Sequence, residues 1–266
     1  MRATCLNMVH ELARRDDRVV FVGSDLAPGV LEDMRREMPE RWYMEGVSEA
    51  NVVGMAAGLA MDGYIPYVNT IATFITRRCF EQVVIDLCLH DLPVRLIGNG
   101  GGLVYAPLGP THLAIEDLAI MRVLPNMTVV AVCDAPEMTR LMQASLDWPH
   151  PMYIRLAKGG DPVVSSRDAG FAIGKAVPMR GSGRGPVCLV STGVMSTRCL
   201  VAAESLAGAG IPASVLHFHT VKPLDVETLL DFCSRAGRVV TVEEGVRAGG
   251  LGGAVASAVV WKTCGL

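Results

Sequence analysis

Aromatic residues and charge of either sign are scarce in this sequence of 266 residues. Aromatic side chains make up 5% of the chain and charged ones 19%, whereas hydrophobic residues reach 50%. A formal charge of −3 and an isoelectric point near 6.1 provide no basic surface for nucleic acid or for an anionic membrane. We therefore expect neither partner. The core should consist mainly of Val, Leu, Ile, Ala and Met.

Long hydrophobic runs and paired cysteines are also missing. No apolar run reaches the roughly 18 residues that span a bilayer, and the amino-terminal residues 1–6 lack a signal-peptide core. The eight cysteines are scattered, with no Cys-x-x-Cys pair. Scattered cysteines within apolar segments are typical of reduced, buried thiols. We expect a cytoplasmic protein without a metal site of its own.

Short Val-rich runs alternate with helical stretches along the chain, which indicates an α/β protein with parallel sheets. Two domains are expected: a first domain over residues 1–160 and a second α/β domain over residues 175–266. Residues 161–174 are rich in Gly, Asp, Ser and Pro and are predicted to form a linker. Within the first domain, residues 74–90 are predicted to form one long helix.

The stretch from Glu45 to Ala60 organises the first domain. Ser48 stands at an N-cap position, and Glu49 falls in the first helical turn, where a carboxylate suits the helix dipole. The helix then contains Gly54 and Gly58 among alanines. A glycine costs roughly 1 kcal/mol relative to alanine within a helix, so we expect another backbone to approach closely. By residue type alone, Glu49 would be a solvated carboxylate at the start of a helix.

A family resemblance favours a second interpretation of this stretch. Gly46-Val-Ser-Glu-Ala-Asn-Val-Val-Gly-Met-Ala-Ala-Gly-Leu-Ala60 resembles the pyrimidine-binding motif of transketolases and deoxyxylulose-phosphate synthases. The resemblance implies that Glu49 contacts the aminopyrimidine of thiamin diphosphate. A carboxyl group bonded to N1′ favours the 4′-imino tautomer, which can remove the C2 proton of the thiazolium.

Other segments extend the resemblance over nearly the whole chain. Gly23-Ser-Asp-Leu26 is similar to a transketolase loop, and the segments 220–225 and 241–250 resemble the carboxyl-terminal domain of the family. The resemblance implies a thiamin diphosphate-binding domain of the pyrimidine type, followed by a shortened transketolase C-terminal-like domain.

The segment Thr73-Phe-Ile-Thr-Arg-Arg-Cys-Phe-Glu-Gln82 is similar to a motif of deoxyxylulose-phosphate synthases. The resemblance gives Phe74 the role of packing on the aminopyrimidine and Arg77 that of binding a substrate phosphate. Without it, Phe74 could equally be a core side chain, and Arg77 would be an exposed helix arginine. Ile71 stands where the synthases often have a tyrosine.

Gly109-Pro-Thr-His112 matches a loop of both families, and the resemblance implies that His112 reaches the carbonyl or hydroxyl oxygens of the substrate. By residue type alone, it would be a loop histidine bonded to nearby backbone. Three substrate positions depart from the family pattern: Leu108 replaces an aspartate that contacts a sugar hydroxyl, Lys158 replaces a phosphate-binding arginine, and Gly29 replaces a serine. We expect a donor or acceptor less hydroxylated than xylulose 5-phosphate.

The Gly-Asp-Gly…Asn motif, which in this family holds Mg²⁺ and the diphosphate, does not occur in the sequence. We therefore expect a companion subunit that carries this motif, in an α2β2 assembly. The sequence predicts the β-type subunit of a two-chain, transketolase-like enzyme that transfers a two-carbon ketol or acyl unit between carbonyl compounds. Two alternatives stay open: the decarboxylating subunit of a 2-oxoacid dehydrogenase-like complex, and a non-catalytic interaction subunit.

Overall fold

The structure, a computed structural model, describes residues 1–24, 29, 31–166, 168 and 170–263. Asp25 and Leu26, which belong to one of the matched loops, lie outside the described residues. No helix in these ranges is both long and apolar enough to cross a membrane.

The larger sheet contains seven strands in the order β10-β5-β6-β4-β3-β1-β2, of which β10 (Thr220–Lys222) comes from the second domain. Its six strands from the first domain are parallel to their neighbours: β1 (Val19–Gly23), β2 (Trp42–Met44), β3 (Ile65–Ile71), β4 (Arg95–Asn99), β5 (Thr128–Ala131) and β6 (Met152–Leu156). The carboxyl ends of these strands therefore meet at one edge, where ligand loops gather in such sheets.

Helices cover both faces of this sheet: α1 (Arg2–Arg15), α2 (Glu32–Glu37), α3 (Glu49–Met61), α4 (Ala72–Thr76), α5 (Phe80–Gln82), α6 (Asp117–Arg122) and α7 (Ala135–Ser145). Alternate strand residues enter two separate core layers. Val68 and Leu96 pack with residues of α3, whereas Tyr67 and Ile97 pack with residues of α1 and α7. Every residue of β1, β3, β4 and β6 is buried, and most of these residues are apolar, as expected for strands covered on both faces.

Two local predictions differ from the structure. The single helix expected over residues 74–90 is interrupted: α4 ends at Thr76, and α5 passes into a π-helical segment, Val83–Leu89. Ser48 is the N-cap residue of α3, but its hydroxyl donates to the carbonyl of Glu45 instead of accepting from a helix N–H. The hydroxyl thus orders the turn that precedes Glu49.

The second domain has a four-stranded sheet in the order β11-β8-β9-β7, in which only β7 is antiparallel to its neighbour. Its elements are β7 (Val177–Arg180), β8 (Gly185–Ser191), α8 (Met195–Gly208), β9 (Ala213–His217), α9 (Val226–Arg235), β11 (Ala236–Val242) and α10 (Leu251–Thr263). One further strand, β10 (Thr220–Lys222), leaves this domain and pairs with β5 of the first sheet. The two domains are therefore joined by strand pairing as well as by the linker.

The linker is anchored by Asp134, the N-cap of α7. Its carboxylate accepts hydrogen bonds from the backbone N–H groups of Glu137, Val164 and Ser165 and from the Ser165 hydroxyl. A single buried carboxylate thus caps a helix and orders the segment between the domains.

A buried polar cluster lies between the domains. The Oε2 atom of Glu137 accepts from the backbone N–H of Cys133 (2.7 Å) and lies 3.0 Å from Nε2 of His217. The other ring nitrogen of His217 lies 2.6 Å from the Ser196 hydroxyl. Although Cys133, Glu137 and His217 could together reach a metal ion, the pKa of the Cys133 thiol is raised far above its usual value by burial. We interpret the group as a hydrogen-bonded cluster, and the absence of a metal site stays a prediction.

His219 extends this cluster and is fully buried, with its ring stacked on Phe171 at 4.2 Å between centroids. Burial lowers the pKa of His219 from 6.5 to about 4, against the opposing attraction of the Glu137 carboxylate. Because the folded-state pKa lies below the unfolded value, His219 favours the folded state fully above pH 6.5. That contribution is lost as the pH falls towards 4.

We expect the free energy of unfolding to fall by about 2 kcal/mol from pH 7 to pH 5 through His219 alone. Urea unfolding at several pH values measures this loss, and His219→Gln should flatten the dependence over that interval. The exposed His90 provides the control, since His90→Gln should retain the slope of the parent. An unchanged slope in His219→Gln would assign the effect to another group.

Candidate functional site

The candidate residues follow strand ends that lie side by side. In the register of the sheet, Ile71 pairs with Asn99, and Asn99 pairs with Leu156. Phe74 and Arg77 come after β3, His112 lies in the loop after β4, and Lys158 comes just after β6, while Glu49 begins the helix that follows β2. Parallel pairing thus brings segments that are far apart in sequence to one edge of the sheet.

Glu49 is the first residue of α3, and only 5% of it is exposed. Its Oε1 atom lies 3.5 Å from Nη1 of Arg78. A carboxylate so deeply buried requires compensation, which the positive end of the helix and this guanidinium supply. The structure therefore excludes the interpretation of Glu49 as a solvated carboxylate.

Phe74 is half-buried and lies between two polar side chains. The Cζ atom of Arg78 is 3.4 Å from the centroid of its ring, and the ring of His112 meets it nearly edge-on at 5.0 Å. Tyr105 also lies near His112, with ring centroids 6.4 Å apart. Glu49, Arg78, Phe74 and His112 therefore form a continuous row, which we call the edge row.

Hydrogen bonds fasten the His112 loop to α4. The Thr73 hydroxyl donates to the carbonyl of Thr111 (2.9 Å), and Arg77 donates to the carbonyl of Pro110 (2.9 Å). Arg77 also pairs with Glu116 at 2.9 Å. These contacts border an open cleft of about 310 Å³, lined by Thr73, Arg77, Arg78, Pro110 and Thr111. Two arginines at one cleft suit an anionic group.

The base of the same loop is held by Arg155, which is buried at the end of β6. Its guanidinium donates to the carbonyls of Ala114 (2.7 Å) and Glu244 (2.6 Å), and its Nε lies 3.1 Å from the Asp117 carboxylate. The Tyr153 hydroxyl donates to the same carboxylate. Burial raises the pKa of Asp117, and the charge of Arg155 and this hydrogen bond oppose that rise. Arg155 therefore connects the loop to both domains.

The remaining predicted residues lie further out. Leu108 is 58% exposed and stands four residues before His112 in the loop, and Lys158 and Gly29 are exposed. In the described part of the chain, no hydrogen bond or ion pair joins Lys158 to the edge row.

The sequence interpretation missed Arg78 and Arg155. Arg78 directly follows Arg77 in the segment that resembles the synthase motif, so the pair of arginines could have indicated it, although the role was given to Arg77 alone. Arg155 stands three residues before Lys158, but nothing in its sequence neighbourhood indicated that a distant domain would contact it.

The close backbone approach expected at α3 is not made by the described residues. A Cβ atom added at Gly58 would meet nothing within 4 Å, and one at Gly54 would meet only the Asp86 carboxylate at 4.0 Å. Two large apolar side chains of the adjoining π-helical segment are also exposed, Ile85 by 42% and Leu89 by 70%. We call this surface of small and apolar residues the α3 face.

Comparison with known proteins identifies two family domains in the chain. Residues 1–160 match the model of the transketolase pyrimidine-binding domain, and residues 174–264 match that of the transketolase C-terminal domain. The chain is 38% identical over 257 residues to the 6-deoxy-6-sulfo-D-fructose transketolase subunit SqwH of Clostridium sp. (strain MSTE9), covering 96% of this chain and 79% of that protein.

The matches to two further proteins also span most of the length of those proteins. One of the subunits of the apulose-4-phosphate transketolase of Phocaeicola vulgatus is 35% identical, with 92% of this chain and 78% of that protein covered. The solved structure of a split-gene transketolase, an inactive β4 tetramer, is 35% identical with a TM-score of 0.89, and the match covers 97% of this chain and 84% of that one. On these matches, the chain belongs to the transketolase family and carries its pyrimidine-binding and C-terminal domains.

Proposed function

We propose that this chain is the β-type subunit of a two-chain, thiamin diphosphate-dependent transketolase that transfers a two-carbon ketol unit between carbonyl compounds. The observation that carries the proposal is the edge row, in which a buried carboxylate, an aromatic ring and a histidine are contiguous at the ligand edge of the sheet. This arrangement favours catalysis over the alternative of a non-catalytic subunit. The relatives named as transketolase subunits favour ketol transfer over 2-oxoacid decarboxylation.

The residues of the edge row fit the pyrimidine half of the cofactor. Thiamin diphosphate, when bound, supplies the carbon nucleophile that takes up the two-carbon unit. Glu49 would hold and exchange a proton at N1′ of the aminopyrimidine, a role suited to a carboxyl group shielded from water. Phe74 would pack on that ring with the face opposite Arg78, since the Arg78 guanidinium covers the other face. His112, next to Phe74, would donate a hydrogen bond to a substrate oxygen.

The other half of the site would come from a companion chain. We propose that the companion binds Mg²⁺ and the diphosphate and that the assembly is α2β2. The α3 face supports this proposal, because its glycines and exposed apolar side chains leave room for a second backbone. A cytoplasmic location is consistent with the free thiols of the seven described cysteines.

Cofactor titration with and without the companion tests this division of the site. We expect the purified chain alone to bind thiamin diphosphate and Mg²⁺ weakly or not at all, and the co-purified assembly to bind them tightly. Isothermal titration calorimetry measures both affinities. Tight, Mg²⁺-dependent binding by the isolated chain would contradict the proposal of a split site.

Glu49→Gln tests the catalytic carboxylate. The amide keeps the shape but cannot exchange the proton at N1′, so turnover should fall by about 100-fold or more. Assembly with the companion, checked by size-exclusion chromatography, should persist. Glu45→Gln, at an exposed position in the same stretch, is the matched control and should retain activity. If Glu49→Gln remained within twofold of the parent, its carboxylate would have only a structural role.

The substrate should be less hydroxylated than xylulose 5-phosphate. Leu108 offers no acceptor for a sugar hydroxyl. Although Leu108 is 58% exposed in this chain, a hydroxyl that the assembled enzyme buried beside it without a partner would cost roughly 1–3 kcal/mol. Arg77, at the cleft, and Lys158, at the end of β6, could still bind one anionic group, although lysine lacks the bidentate fork of arginine. The relatives' names, which specify a deoxy-sulfo sugar and a sugar phosphate other than xylulose 5-phosphate, are consistent with a specialised substrate.

Leu108→Asp should shift the preference of the assembled enzyme towards hydroxylated donors. We expect the ratio of kcat/KM for xylulose 5-phosphate to that for a deoxy-ketose phosphate to rise by about tenfold or more, as one recovered hydrogen bond implies. Leu103→Asp, which adds the same charge at another exposed leucine of the loop, should leave the ratio unchanged. A parent that already prefers xylulose 5-phosphate, with no response to Leu108→Asp, would indicate an ordinary transketolase.

A further inference from the structure

Arg78 contacts both residues to which the proposed function assigns the aminopyrimidine. Its Nη1 atom lies 3.5 Å from Oε1 of Glu49, and its Cζ lies 3.4 Å from the centroid of the Phe74 ring. No other ion pair reaches Glu49 in the described part of the chain. The carboxylate is 5% exposed, whereas the Arg78 side chain is 42% exposed. Arg78 therefore approaches a buried group from the rim of the site.

The local fold holds Arg78 in this position. It lies in the turn between α4 and α5, at the interruption of the helix that the sequence did not predict. The turn is fastened to α4 because the backbone N–H of Arg77 donates to the carbonyl of Thr73 (3.0 Å) and the Cys79 thiol donates to that of Ile75 (3.2 Å). A planar guanidinium that rests on an aromatic ring loses little further freedom when it binds a carboxylate.

We propose that Arg78 is a positioning residue, which holds Oε1 of Glu49 so that Oε2 can face the ring nitrogen of the cofactor. Through the same guanidinium it fixes the orientation of the Phe74 ring. Arg78 itself transfers no proton, since an arginine stays protonated in proteins. The inference rests on the proposed function, because it assumes that Glu49 and Phe74 bind the aminopyrimidine.

The test uses the enzyme assembled with its companion chain. Two quantities are measured: the dissociation constant of thiamin diphosphate, by calorimetry, and the rate of hydrogen–deuterium exchange at C2 of the bound cofactor, by quenched-flow NMR. A misplaced carboxylate slows the exchange more than it weakens binding, so Arg78→Met should slow exchange by about tenfold or more. The dissociation constant should change much less. Arg78→Lys keeps the charge but not the planar fork and should fall between Arg78→Met and the parent.

Combining Arg78→Met with Glu49→Gln distinguishes a positioning role of Arg78 from a general structural effect. If Arg78 acts through Glu49, then Arg78→Met should cause no further loss of exchange in a Glu49→Gln background. If the losses of exchange rate caused by the two substitutions multiplied in the double variant, the proposal would be overturned. Arg35→Met is the matched control, because Arg35 likewise lies over an aromatic ring, Trp42 at 5.2 Å, and pairs with Glu32 at 3.7 Å. That variant should leave both quantities unchanged.

The remaining outcomes are also decisive. Tighter cofactor binding by Arg78→Met would mean that the guanidinium occupies the place of the ring, which contradicts a positioning role. Exchange within twofold of the parent would contradict it as well. If the assembled parent bound no thiamin diphosphate, the proposed function itself would fail. That result differs from a failure of the inference alone, in which the parent binds the cofactor and Arg78→Met behaves like the parent.

Discussion

The position of the His112 loop depends on one buried guanidinium. Arg155 bridges the loop at Ala114, the Asp117 carboxylate at the start of α6 and the backbone of Glu244 in the second domain. Removing one member of a buried ion pair commonly costs about 3–5 kcal/mol, since the remaining charge is left without a partner. Gly102 permits the close contact with Glu244, because an added Cβ would lie 2.8 Å from that side chain in a backbone with φ of +63°. The second domain therefore stabilises the site without contributing a residue to the edge row.

Two further connections join the domains. Strand β10 pairs with β5, and the cluster around His217 and Glu137 occupies the buried space nearby. Both connections restrict movement of the second domain relative to the carboxyl-terminal edge of the first sheet. On the proposed function this loop presents His112 to a substrate, and its position becomes more precise because its base is bound to rigid elements on both sides.

The edge row is formed by contacts within the chain, whereas the α3 face is a surface that the described part of the chain leaves uncovered. Within the chain, Arg78 and Phe74 join the carboxylate of Glu49 to the imidazole of His112. Beyond the chain, the glycines of α3 leave a surface that no described residue fills. A helix with so little bulk is costly unless something packs against it. On the proposed function, that cost is offset on assembly, when the companion chain covers this face and completes the cofactor site.

The sequence by itself was sufficient for the α/β class, for the alternation of strands and helices, and for the motifs at Glu49, Phe74 and His112. These features depend on local patterns: apolar runs of strand length, turns rich in glycine, and short segments similar to a family. Tertiary structure decided the rest. It interrupted the helix expected over residues 74–90, brought Arg78 onto Phe74 and Glu49, and connected Arg155 to Glu244, 89 residues further along the chain. No local pattern indicates the contact between Arg155 and Glu244, because the partners of a buried charge are selected by which distant segments exclude water around it.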